Sequence, residues 1–274
     1  MAIALSVLTL CTTGIARAWS NGGYSDDIAN PDYGTHDWVA EKSLILQSLD
    51  VSFLSDTFKS QYLLGTEAPD NPAYIGDSTN HHVYYYLDGT LQDDICADRA
   101  QAMYDEALDR MLDSDMENAA FYVGAMAHYI ADVGAYGHTM GASTDWGAET
   151  HHTTYENWFE SRLETFDTPS DVSLMELNAG DAARSLGFKI TFGDGAVRSN
   201  VWMDEQYDWL DAEFVASARA SLNASVEAVA AAINDLLLEY YLVIPEFHSG
   251  TLVAVLIVTS IIGVLAARFR TGDK

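Results

Sequence analysis

The sequence predicts an all-α fold, a compact multi-helix domain. Three observations carry that prediction. Apolar residues recur at helical spacing through most of the chain. No run alternates apolar and polar residues as a half-buried strand does. The stretches between the periodic segments, 20–34, 65–90, 139–150 and 190–204, are rich in Gly, Asn, Asp, Ser and Thr and read as loops.

The elements follow in order. Thr35 is an N-cap candidate for "THDWVAEKSLILQSL", with Trp38, Val39, Leu44, Ile45 and Leu46 apolar. Thr90 to Leu112 reads as a helix rich in Ala, Asp and Glu. "NAAFYVGAMAHYIADVGAYG", from Asn118, is apolar nearly all round and is expected at the centre of the domain. "HTTYENWFESRLETF", from His152, is amphipathic. "DVSLMELNAGDAARSLGF" is a weaker helix with Asp171 as its cap, and the Ala-rich stretch from Asp204 to Val243 makes one or two helices.

The ends read as targeting signals. Residues 1–18, "MAIALSVLTLCTTGIARA", hold an apolar run closed by Ala16-Arg17-Ala18, the small-x-small pattern of a secretory signal peptide. Cleavage there leaves Trp19 as the first residue and Cys96 as the last cysteine, so no internal disulfide is expected. Residues 249–268 contain the uncharged run Gly250 to Ala267, long enough at ~1.5 Å per residue to span most of a ~30 Å hydrocarbon core. Arg268 and Arg270 follow, which by the positive-inside tendency makes residues 269–274 a cytoplasmic tail. The expected protein is therefore a single-pass cell-surface protein with an exported domain over 19–248.

With 13 basic against 41 acidic residues, the formal charge is −28. Such a surface repels phosphate backbones and argues against nucleic acid as a partner.

The histidines raise the chemical question. His128 and Asp132 are spaced i,i+4 and project together from the central helix. His152 and Glu156 do the same on a later one. His138 follows Gly134 and Gly137, which can end the central helix and let its side chain turn back. His36 and Asp70 complete the set. Burying several carboxylates beside apolar helices is costly unless something neutralises them. Imidazole with carboxylate is the donor set of zinc.

These pieces resemble the zinc-dependent phospholipase C family, within a superfamily that includes the S1/P1 nucleases. The matching stretches are "AWS" at Ala18, "GTHDWV" at Gly34, "APD" ending at Asp70, "HHVYYY" from His81, "HYIADVGAYGH" from His128 and "HTTYEN" from His152. The resemblance implies three zinc ions per chain. One takes Asp70, His82, His128 and Asp132. A second takes His138, His152 and Glu156. A third takes the α-amine and carbonyl of Trp19 with His36, and Asp132 bridges. Asp70 is also the implied general base.

Two adjacent histidine pairs leave the register open. His82 is preferred because "VYYY" follows it, and His152 because it gains Glu156. His81 and His151 are then expected outside the ligand shell. The implied activity is hydrolysis of a phospholipid or other phosphodiester, releasing diacylglycerol and a phosphorylated head group. Glu156 favours this branch, since the nuclease branch tends to carry aspartate there. A nuclease or nucleotidase, and a non-catalytic metal-stabilised surface domain, are the alternative readings.

Overall fold

A computed structural model describes residues 32–77, 79–169 and 173–243. Among these residues eight α-helices appear in this order: α1 Thr35–Ile45, α2 Lys59–Glu67, α3 Ile95–Leu112, α4 Met116–Asp132, α5 His152–Glu160, α6 Ala179–Phe192, α7 Asn200–Glu205 and α8 Ala212–Val243. A two-stranded antiparallel ribbon, β1 Tyr84–Tyr85 and β2 Leu91–Asp93, lies between α2 and α3. Short 3-10 turns occupy Tyr136–Thr139 and Leu163–Thr165, and a π-turn occupies Phe53–Thr57.

Helix α4 is the centre. The Asp115 side chain caps its first turn by accepting from the Asn118 amide. Its residues are buried on nearly every side, from Ala119 and Ala120 through Val123, Met126 and Ile130. Helices α1, α2, α3, α6 and α8 all pack against it. The approach of α2 is unusually close: a Cβ on Gly124 would lie 2.0 Å from the Tyr62 carbonyl oxygen, and one on Gly65 would lie 2.1 Å from that of Phe121. Two glycines therefore let two backbones touch, and this brings the end of α2 and Asp70 beyond it against the His128 face of α4.

The other helices start where the side chains allow. Asn178 accepts from the Asp181 amide at the head of α6, and Ser199 from the Trp202 amide at the head of α7. Gly193, at φ 78°, ends α6 in a backbone region that suits glycine. Asp211 Oδ1 accepts from the amides of Glu213 and Phe214 at the head of α8.

Several elements differ from expectation. Helix α2 falls on a segment given no helix, and its last turn, Gly65 to Glu67, was expected as loop. The helix expected from Thr90 begins at Ile95, because Leu91–Asp93 pair with Tyr84–Tyr85. The helix expected from Asp171 begins at Ala179, and α7 lies in an expected loop. The Ala-rich stretch forms one helix, and it starts at Ala212. Cys96 is a free, buried thiol whose Sγ–H donates to the Tyr129 carbonyl.

The expected signal peptide, Trp19, the membrane span and the tail lie outside the described residues. Among the described residues no helix is long and apolar enough to cross a membrane.

Candidate metal centre

Five pieces of the chain deliver side chains to one end of α4. Helix α1 brings His36, held there because Asp37 accepts from the Gly34 amide (2.8 Å) and caps the first turn. The turn after α2 brings Asp70, and the extended segment before β1 brings His81. The 3-10 turn after α4 brings His138, and α5 brings His152 and Glu156. The donors form three groups, His36–His128–Asp132, Asp70–His81–His128 and His138–His152–Glu156, each with its ligand atoms within 4.8 Å of one another.

Asp132 joins the first two groups. Its Oδ1 lies 3.1 Å from His36 Nε2, and its Oδ2 lies 2.5 Å from His81 Nδ1 and 3.2 Å from His128 Nε2. Asp70 Oδ1 is 3.6 Å from His81 Nε2 and 4.0 Å from His128 Nε2. In the third group the two Nε2 atoms of His138 and His152 are 3.0 Å apart, and Glu156 Oε1 is 2.8 Å from that of His152.

Outward hydrogen bonds fix how the rings face. His128 donates from Nδ1 to the Thr66 carbonyl (2.6 Å), which turns Nε2 inward. His81 directs Nε2 at the Asp77 carbonyl, which leaves Nδ1 on Asp132. Thr66 also donates to Asp37 Oδ1 at 2.6 Å, so one buried carboxylate steadies α1 and the strap behind His128.

Electrostatics follow from burial and crowding. Burial, with the neighbouring His128, pushes His36 down to about 3. Burial would also lower His81, but Asp132 overrides it and lifts the imidazole to about 9. His152 is lifted to about 10, because Glu149 and Glu156 outweigh its burial. Burial works against ionising Asp132, yet His128, His81 and His36 hold its carboxyl well below the usual range. Burial raises Asp70, with His128 opposing.

The donors fit a metal. Both ring nitrogens of His36, Asp132 Oδ1 and Glu156 Oε1 are buried without a hydrogen bond, although neighbouring donors sit close by. The two carboxylate oxygens nonetheless lie 3.1 Å from His36 Nε2 and 2.8 Å from His152 Nε2, so imidazole and carboxylate crowd together. Leaving such atoms unpaired is costly, and a cation among them removes that cost.

His82 requires a correction. It was expected in the cluster, but it points the other way: Nε2 lies 3.3 Å from Asp93 Oδ2 and the ring stacks on Tyr84 at 4.2 Å. His81 takes the inward place. The reason is the extended backbone here, pinned by Val83 N–H to the His138 carbonyl and Cys96 N–H to the His82 carbonyl. Successive side chains on extended backbone face opposite ways, so only one of two adjacent histidines can turn inward. His151 lies outside all three groups, stacked on Tyr207 at 4.0 Å. Beyond His81, Glu149 is a site residue that the sequence reading did not single out: its Oε1 lies 3.1 Å from His152 Nδ1.

A cavity of about 200 Å³ opens onto the cluster. Asp70, His81, His138 and His152 line it from the donor groups, and His82, Tyr84, Met140 and Glu149 are among its other walls.

A helical domain that gathers three imidazole–carboxylate groups, two of them sharing His128, at one central helix is by class a candidate metal-centre protein. The family model described as zinc dependent phospholipase C matches residues 35–215, and the chain belongs to that family. Among solved structures, the fold is similar to an alpha toxin from Clostridium absonum, with a TM-score of 0.52 and 15% identity. It is equally similar to the Clostridium perfringens alpha-toxin isolated from avian strain SWCP, with a TM-score of 0.52 and 16% identity. Each match covers 76% of this chain and 64% of the toxin. No curated protein matches.

Proposed function

We propose that this chain is a zinc-dependent phosphodiester hydrolase, and within that class a phospholipase C acting on a phospholipid. The convergence of buried imidazoles and carboxylates into three groups, with the His36 nitrogens, Asp132 Oδ1 and Glu156 Oε1 left without a hydrogen bond, carries the metal part of this reading. Family membership supports the lipid part.

The proposed ligands are Asp70, His81, His128 and Asp132 for one zinc, and His138, His152 and Glu156 for a second. His36 and Asp132 would hold a third, together with the amine and carbonyl of Trp19. The two oxygens of Asp132 already face different imidazoles, as a bridging carboxylate requires.

Zinc, when bound, polarises phosphate oxygens and makes a neighbouring water acidic enough to ionise near neutral pH. The chain supplies the rest. Asp70 reaches the cavity wall with its carboxylate 10% exposed, where it can take the proton of the attacking water. Tyr84 and Met140 give the cavity an apolar side. The charge pattern favours lipid over polynucleotide. Of nine basic side chains among the described residues, six lie within 4 Å of a carboxylate: Lys59, Arg99, Arg110, Arg184, Lys189 and Arg198. Among the described residues no lysine or arginine lines the cavity.

Parallel assays on a choline phospholipid in mixed micelles and on single-stranded DNA test the substrate class. Diacylglycerol release is expected. Turnover of the nucleic acid alone would sink the lipid reading.

The register is tested by a pair of variants. His81→Ala is expected to lose one zinc per chain and at least about 100-fold in activity, since even outer-sphere partners of a metal are worth 10–100-fold. His82→Ala is expected to keep its full zinc content by elemental analysis. The reverse result would restore His82 to the ligand set.

A further inference from the structure

The outward nitrogens of the cluster's imidazoles are not served alike. His128 and His81 turn theirs to main-chain carbonyls, those of Thr66 and Asp77. His152 turns its Nδ1 to a side chain, the Glu149 carboxylate, at 3.1 Å. Glu149 sits in the loop before α5, three residues from the ring it holds, with its side chain 25% exposed. It also lines the cavity.

Two further contacts make this arrangement rigid. The residue after Glu149 is anchored: Thr150 donates its amide (2.9 Å) and hydroxyl to Asp204, to which the Tyr136 hydroxyl also donates (3.1 Å). Tyr136 belongs to the same 3-10 turn as His138. Asp204 therefore ties the segment that carries Glu149 and His152 to the turn that carries His138. On its other side the His152 ring lies flush against Gly137, where a Cβ would come within 2.8 Å of Nδ1. The ring has a backbone wall on one side and one polar partner at its outer nitrogen.

We propose that Glu149 is a positioning residue for the His138–His152–Glu156 site, holding His152 as the Nδ1–H tautomer with Nε2 turned to the metal. The inference rests on the zinc reading above. A carboxylate on the outer N–H of a ligating imidazole fixes its orientation and raises its basicity as a donor. The site next to α5 then depends on a loop residue, whereas the His81 and His128 rings rest on main-chain carbonyls.

The test is zinc occupancy per chain, measured by elemental analysis across a series of chelator-buffered free zinc concentrations. The proteins are the wild type, Glu149→Ala, Glu149→Met and Glu149→Gln. Methionine matches the volume of glutamate without an acceptor, so it stands in if the alanine variant does not fold. Wild type is expected to hold three ions. The alanine or methionine variant is expected to release one of them at about 10–100-fold higher free zinc, with the other two unmoved. Glutamine, whose amide oxygen can accept the same N–H, is expected to recover most of that loss. In 15N-histidine-labelled protein, the Nδ1–H signal of His152 is expected to stay protected in the wild type and the glutamine variant and to vanish in the alanine variant.

An alanine or methionine variant with the wild-type zinc curve overturns the proposal and leaves the zinc reading intact. Loss of all three ions together also overturns it, because it would show a general structural role. A wild type that binds no zinc overturns the zinc reading and this inference with it.

Discussion

Asp132→Asn is expected to remove two zinc ions at once and to abolish measurable phosphodiester hydrolysis. Asp132 is fully buried, and its two oxygens face His36 on one side and His81 and His128 on the other. The amide keeps the shape but loses the charge that would balance two cations, and it turns an N–H₂ towards one set of imidazoles. Breaking a buried, hydrogen-bonded charge cluster by changing one partner costs about 3–5 kcal/mol. For a domain of this size, that is a fall in melting temperature on the order of 10 °C. Elemental analysis and a thermal melt on the same preparation check it. Unchanged zinc content would show that Asp132 does not bridge.

Stripping the zinc with a strong chelator is expected to destabilise the whole domain. A ligand present at 1,000 times its Kd stabilises the native state by about 4.1 kcal/mol per site. Three such sites contribute on the order of 10 kcal/mol, which is as large as the net stability of an ordinary domain, about 5–15 kcal/mol. The stripped protein is therefore expected to melt far lower, and identical melts with and without chelator would contradict a metal-braced fold.

The pH dependence of the stripped protein has a definite sign. His81 and His152 are lifted to about 9 and about 10. Their stabilising contribution is fully present below the unfolded histidine value of ~6.5 and is lost as the pH rises through 9 and 10. His36, held near 3, is neutral in both states above ~6.5 and adds nothing there. The metal-free protein should thus become less stable from neutral to alkaline pH. Zinc must displace those protons, so its binding strengthens over the same interval. The gap between the loaded and stripped melting curves is expected to widen as the pH rises.

What was legible in the sequence lies along single helices. The pairs His128/Asp132 and His152/Glu156 are set by helical spacing, and their burial inside apolar segments marked them for chemistry. The central position of α4 was readable because it is apolar on nearly every side. Helix α2 was not readable. Its last turn, Gly65-Thr66-Glu67, carries loop-forming residue types, and only the contact of Gly65 with α4 shows why glycine belongs there. The ribbon was hidden for a similar reason, since two- and three-residue strands are too short to display alternation and form by pairing with each other.

The sequence alone determined the donor chemistry, the helical character and the two i,i+4 pairs, because these depend on residue type and on the fixed geometry of one helix. Only the tertiary structure decided that His81 rather than His82 faces the cluster, and that Glu149 backs His152. Each of those depends on which side of an irregular segment meets α4 or α5, and hydrogen bonds between segments distant in the chain set that, such as Val83 to His138 and Thr150 to Asp204.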